Sequence, residues 1–282
     1  MTSQFITLLT TGARTATLLI APDRFLFARD GALDWQLSEG DDLVVATGQV
    51  HSVVLNLGNL EPGRHYRLET ADGGFTFATA NETALLDIRD FGASTESADN
   101  ARAIQSAIAA IPAGGTLRLP AGSWSSGPVF LKSNMTLLIE EGAVLADTGS
   151  RQGRKVLPAR HADGRVLGTW EGVAEPCFAS LINAIDCQNL AITGQGTIDG
   201  GGDRGDWWTW PKETRDGARR PRTIFLSDCR HVTLSGITVR NSPSWTIHPV
   251  LCEHVLAVGL TIRNDPLSPN TDGLNPEPSS DI

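Results

Sequence analysis

The chain has 282 residues, a net charge of −9 and a pI near 5.1, and its 40% hydrophobic content is enough to bury a sizeable core and hold two domains. The acidic balance opposes a general affinity for nucleic acid or an anionic membrane surface. No apolar run approaches the roughly 18 residues a spanning helix needs, and the start, with Arg14 and Asp23 among its apolar residues, lacks a signal-peptide pattern; a cytoplasmic chain is expected, the alternative being an exported form with its true start upstream.

Residues 1–82 form short alternating runs around 15–20, 42–46, 52–57, 66–70 and 75–79, separated by Gly, Pro and Asp turns, which predicts a small all-β sandwich. The segment from Leu60 to Leu68, which contains the only tyrosine, Tyr66, resembles the corner of fibronectin type III domains. There a tyrosine near a strand start bonds back to the preceding turn; an ordinary hairpin turn is the plain alternative.

From residue 83 onward the pattern changes. A short amphipathic helix over about 98–111 places Ala101, Ile104, Ile108 and Ile111 on one face and is suited to plug the open end of a stack of coils. First coils follow at 115–122, 127–131 and 134–139, with Gly and Pro at the corners.

Two polar stretches, 146–174 and 200–222, read as excursions from the coils. Residues 212–222 carry Lys212, Arg215, Arg219, Arg220 and Arg222 against Glu213 and Asp216, a net +3 beside Trp207, Trp208 and Trp210. That combination suits an anion site with flat aromatic surfaces, or a solvated loop packed by its own tryptophans.

One phrase recurs at Cys187–Gly194, Cys229–Gly236 and Cys252–Gly259: Cys, any residue, Asn or His, an aliphatic residue, and Gly at the eighth position. The starts lie 229 − 187 = 42 and 252 − 229 = 23 residues apart, the first interval stretched by the second excursion. Period-2 alternation without intervening helices predicts a parallel β-helix whose equivalent residues stack about 4.8 Å apart. Ser279-Ser-Asp-Ile282 opens the phrase again. The four cysteines, 177, 187, 229 and 252, include no CxxC or metal spacing and are expected as buried free thiols. His231 and His254 share a slot with Asn189 and are expected to stabilise turns.

The bend Asn264–Pro276 projects Asn270 and Asp272 between two coils. Taken alone, it could be a turn whose side chains cap their own backbone. Asn270-Thr-Asp272-Gly273 with Pro276, however, resembles the first signature of glycoside hydrolase family 28, the polygalacturonases. So do Asp90-Phe-Gly-Ala93, Gly127-Pro-Val-Phe-Leu-Lys-Ser-Asn134, Ile139-Glu-Glu-Gly-Ala143, Gly196-Thr-Ile-Asp-Gly200, Arg220-Pro-Arg222 and Asn241-Ser-Pro-Ser-Trp-Thr-Ile-His-Pro249. The resemblance covers about 86–282. It implies an all-β chain: a right-handed parallel β-helix over 83–282 with a short capping α-helix, preceded by a fibronectin type III-like β-sandwich over 1–82, as in exo-acting bacterial members.

The implied reaction is inverting hydrolysis of α-1,4 links between galacturonic acids in pectin or oligogalacturonides, with Asp272 on the water-activating side and no cofactor or metal. The family pairs this aspartate with an Asp-Asp dyad one coil later, then with Gly-His-Gly and Arg-Ile-Lys segments. None of these occurs within the helix part of the 282 residues, and Asp41-Asp42 lies in the first domain. The expectation is therefore an incomplete, inactive portion of a chain that continues past Ile282, self-associating through its uncapped last coil. Asn270, His248 and Trp245 are the nearest candidates for substrate contact, and Arg222, Lys212 and Arg240 are candidate partners for substrate carboxylates. The alternatives are a non-catalytic pectin-binding β-helix and a pectate lyase, which would need an acidic calcium cluster.

Overall fold

The computed structural model describes residues 5–20, 27–40 and 43–282, and its packing divides the chain into two compact units, Met1–Glu82 and Thr83–Ile282.

The first unit is antiparallel throughout. One sheet joins Ile6–Thr11, Ala16–Ile20 and Val54–Leu57; the other joins Ala28–Glu39, Leu43–Ser52, His65–Thr70 and Gly73–Ala78. Leu18, Leu37, Leu55, Leu68 and Phe77 share one buried core. The buried hydroxyl of Tyr66 accepts the Glu61 N–H at 2.8 Å, the bond back to the preceding turn that the sequence led one to expect. Five expected runs fall on observed strands. Ile6–Thr11 and Ala28–Glu39 were not anticipated; the second has irregular register between Ala28 and Leu33 and sends only Leu33, Trp35 and Leu37 toward the core. Asp23, Asp41 and Asp42 lie outside the described residues.

The second unit winds as a right-handed parallel β-helix. Helix α1 (Ala101–Ala110) buries Ile104, Ala107 and Ile108, and Ile111 just beyond it, against the first coil. It begins three residues later than expected. The residues before it bond locally instead: Asp99 Oδ1 accepts the N–H groups of Ala101 and Gly127, at 2.8 and 2.9 Å.

Three parallel faces follow one another in each coil. The first face stacks Gly115–Leu119, Met135–Ile139, Gln188–Gly194, Arg230–Ser235 and Glu253–Val258. The second stacks Gly122–Ser126, Ala143–Asp147, Thr197–Asp199, Thr238–Arg240 and Thr261–Arg263. The third stacks Val129–Phe130, Ile182–Ile185, Ile224–Ser227 and Ile247–Val250. Because side chains alternate, each face sends every second side chain inward, and these stack in aliphatic ladders. Leu117, Leu137, Ile192 and Leu234 line up on the first face, and Val129, Ile182, Ile224 and Ile247 on the third. Each such side chain is almost fully buried, worth about 1.5–3 kcal/mol apiece.

The repeated phrase marks the turn into the first face. Asn189, His231 and His254 all take left-handed φ of 53–56°, which polar side chains tolerate best, and the two imidazoles stack at 4.8 Å. All four cysteines are buried and free. On the third face, the outward residues Phe225 and Val250 pack under Leu157 and Leu167 of the first excursion, so that excursion is a cover for this face. Among the described residues, no helix is long and apolar enough to cross a membrane.

Candidate functional site

The corner from the second face to the third carries the candidate residues. Here the chain turns at Asn241–Ser244 in one coil and at Asn264–Thr271 in the next. Asn264 holds the two turns in step, accepting the Ser242 N–H at 2.9 Å and donating to Thr246 Oγ1 and the Thr271 carbonyl, both at 2.8 Å. The Thr246 N–H reaches the Asp272 carbonyl at 2.8 Å, and Ile247 bridges Leu274. Continued backwards, this register puts Arg222, Trp245 and Asp272 at neighbouring positions on successive coils.

Asp272 is exposed. Asn270 turns at φ 56°, and its Oδ1 accepts from Arg220 at 3.0 Å. Arg220, fully buried, also donates to the carbonyls of Pro211, Pro243 and Pro269 at 2.8, 2.5 and 2.9 Å. One guanidinium thus fastens the second excursion to two successive turns. It has no carboxylate partner among the described residues, and burial first, then repulsion from Arg222, pushes its pKa down to about 10.

Beside it runs a buried chain of polar groups. Arg222 donates to the Thr169 carbonyl at 2.6 Å, to the Arg220 carbonyl at 2.9 Å and, through Nε, to His248 Nδ1 at 3.2 Å. Because a guanidinium has no acceptor, Nδ1 must be bare and the neutral ring carries its proton on Nε2. That nitrogen faces Glu277 Oε2 at 3.3 Å, a long and bent contact. Burial drives the His248 pKa down to about 4, against the opposing pull of Glu277. For Glu277 burial acts upward, but the adjoining His248 ring and Thr169 side chain and the hydrogen bond from the Gly172 N–H outweigh it and hold the carboxyl at about 2. The Arg222 guanidinium lies over both Trp170 and Trp245, at 4.9 and 5.3 Å from the ring centres.

These positions correct several expectations. Arg222 is not a partner for substrate carboxylates, because it is buried and its donors go to carbonyls and His248. His248 is likewise enclosed: it points outward from the coil but lies beneath the first excursion, against Phe225 at 5.6 Å. Trp245 is half-buried and keeps an open side. Lys212 is exposed, 3.7 Å from Glu171. Arg240 is exposed but paired with Asp199 at 2.9 Å, a carboxylate that Arg204 also holds at 3.0 Å.

The basic second excursion is not a ready anion site either. Arg215 pairs with Asp206, Arg219 with Glu175, and Arg220 and Arg222 are inside. Trp207 and Trp210 pack with Phe178 as a small core of their own.

Sequence reasoning missed three residues. Arg220 was noticed only as part of a motif, Trp170 sat in an aperiodic excursion, and Glu277 lay between two prolines as an unremarked surface charge. A buried role for Glu277 had one signal, its place five residues beyond Asp272 on the third face, where outward side chains are covered.

Residues 163–282 match the model of the family described as Glycosyl hydrolases family 28. A probable polygalacturonase from Vitis vinifera is 34% identical over 187 residues, which is 63% of this chain and 36% of that protein. The chain therefore spans about a third of the length of this relative. The structure of the Yersinia enterocolitica family 28 exopolygalacturonase aligns with a TM-score of 0.66 at 21% identity, covering 97% of this chain and 61% of that one. The hyperthermoactive exopolygalacturonase from Thermotoga maritima aligns with a TM-score of 0.58 at 26% identity, covering 69% and 50%.

Proposed function

Since residues 163–282 belong to glycosyl hydrolases family 28, we propose that this chain carries part of a polygalacturonase-type site for α-1,4-linked galacturonosyl oligo- or polysaccharide, with Asp272 on the water-activating side. The observation that carries this reading is the Asn270–Gly273 turn. Its carboxylate is exposed, its Asn270 is held from within by Arg220, and Trp245 adjoins it as a half-open aromatic wall for a sugar ring.

Inversion needs a carboxylic acid for the leaving oxygen and a carboxylate for the water, about 6.5–9.5 Å apart. Glu277 does not supply the acid. A group held at about 2 has no proton to give near neutral pH. A second reading, supported by the half-open Trp245 beside the exposed Asn270–Gly273 turn, is that these residues bind galacturonate oligomers without cleaving them. Lys212 and Arg240 have exposed side chains, and a substrate carboxylate would compete for them with Glu171 and Asp199 in either reading.

Titration with oligogalacturonate, following tryptophan emission and released reducing ends together, separates the two. Saturable binding with cleavage supports hydrolysis, binding without cleavage supports the second reading, and no binding removes both. If cleavage is seen, Asp272→Asn should abolish it while leaving binding and the melting temperature intact.

Self-association through the outermost coil is a further proposal, supported by exposed Leu251, Leu256 and Leu274. A mass by light scattering that stays monomeric at high concentration would count against it.

A further inference from the structure

We infer that Glu277 is a positioning residue: it fastens the Thr169–Ala174 hairpin to the coil that carries Asp272 and sets the ring of His248 against which Trp245 rests. The inference builds on the proposal that Asp272 and Trp245 face the substrate.

The hairpin pairs Thr169 with Ala174 and Trp170 with Val173. Its two turn residues, Glu171 and Gly172, have φ of 48° and 83°, the left-handed pair of a tight hairpin turn. At the tip, the Gly172 N–H donates to Glu277 Oε1 at 2.6 Å across 105 positions of sequence. At the base, the Thr169 carbonyl accepts from Arg222 at 2.6 Å. Glu277 is itself fixed, since its N–H donates to the Pro249 carbonyl at 2.8 Å and its backbone bridges Val250.

Between these two anchors lies Trp170. Its ring is parallel to Trp245 within 2°, at 6.3 Å, and the guanidinium groups of Arg219, Arg220 and Arg222 sit 5.4, 5.5 and 4.9 Å from its centre. Trp245 meets His248 edge to face at 4.9 Å. The His248 ring accepts from Arg222 on one nitrogen and faces Glu277 Oε2 with the other, at 3.3 Å and outside hydrogen-bond geometry. The path from the hairpin tip to the wall beside Asp272 is therefore continuous: Gly172, Glu277, His248, Trp245.

The chemistry also explains why this residue is an acid. Gly172 N–H comes to one carboxylate oxygen and His248 Nε2–H faces the other. A glutamine has a single acceptor oxygen, so it would satisfy one donor and confront the other with an amide N–H.

The test compares the full chain with Glu277→Gln, Glu277→Ala and a control, Val232→Ala, which weakens the core away from the network. Three readouts are taken: amide exchange at Gly172, the ¹⁵N signature of the His248 tautomer, and the Kd for oligogalacturonate from tryptophan emission. Wild type should show the Nε2–H tautomer. Glu277→Ala should speed Gly172 exchange about tenfold or more and raise the Kd about tenfold, and Glu277→Gln should disrupt either Gly172 or His248. Val232→Ala should lower the melting temperature and leave all three readouts unchanged. Unchanged Gly172 exchange in both Glu277 variants would overturn the clamp, as would a Kd change no larger than in the control. If wild type binds no oligogalacturonate, the proposed function falls, and Gly172 exchange alone decides the clamp.

Discussion

Arg222 Nε donates to His248 Nδ1 across 3.2 Å, and this one bond fixes which nitrogen of a fully buried imidazole carries the proton. It makes His248 a neutral link between a cation on one coil and Glu277 on a later one. Acid should break that link.

The sign follows from the direction of each shift. The folded pKa of His248, about 4, lies below its ordinary value of 6.5, so the unfolded chain takes up the proton first. The stability it contributes is complete above pH 6.5 and is lost as pH falls through about 4, amounting to about 3 kcal/mol at most. Glu277, at about 2 against an ordinary 4.5, extends the loss to lower pH with the same sign. Urea midpoints should hold between pH 8 and about 6.5 and fall from there to pH 4, and His248→Gln should flatten that slope. An equally steep slope in the variant would show that other groups are responsible.

Removing the Arg220 guanidinium should loosen the Asp272 turn. Arg220→Met keeps much of the buried volume but leaves the carbonyls of Pro211, Pro243 and Pro269 and the side chain of Asn270 without their donor. A loss of about 3 kcal/mol or more is expected. Arg220→Lys should recover little of it, because a single ammonium cannot span partners spread across a planar fork. Thermal unfolding measures the loss, and amide exchange at Gly273 reports whether the turn itself opens.

The ladders make a contrasting pair. Leu234 is fully buried between Ile192 and Ala257, so Leu234→Ala should cost about 2–5 kcal/mol. Leu267, in the same corner segment as Asp272, is 91% exposed, and Leu267→Ala should stay within about 0.5 kcal/mol. Comparable losses at the two positions would contradict the coil register.

In the first unit, Tyr66→Phe removes only the acceptor for the Glu61 N–H. About 1 kcal/mol should go, with the core of Leu37, Leu68 and Phe77 left in place. A spectrum or urea slope that changes with it would indicate repacking instead.

The coil was readable because its signal is local and repeats. Cys187, Cys229 and Cys252 recur in one slot, each two residues before a left-handed Asn or His, and inward aliphatics alternate along every strand. The long strand Ala28–Glu39 was missed because its first five residues are largely exposed and carry no apolar alternation, which leaves only Leu33, Trp35 and Leu37 to mark it.

The amino-acid order alone settled the winding of residues 83–282, the plugging helix and the place of Asp272 at a corner between coils, because these depend on neighbours in sequence and on a fixed period. Only the tertiary structure decided which cations face solvent. Arg222 and His248 resemble surface residues until residues 146–174 fold over the third face, and Glu277 acquires its partners from Gly172 and His248, groups far away along the chain. Burial by a distant segment leaves no periodic trace in the buried residue's own surroundings, so the same side chains that read as substrate ligands in sequence are framework in the folded protein.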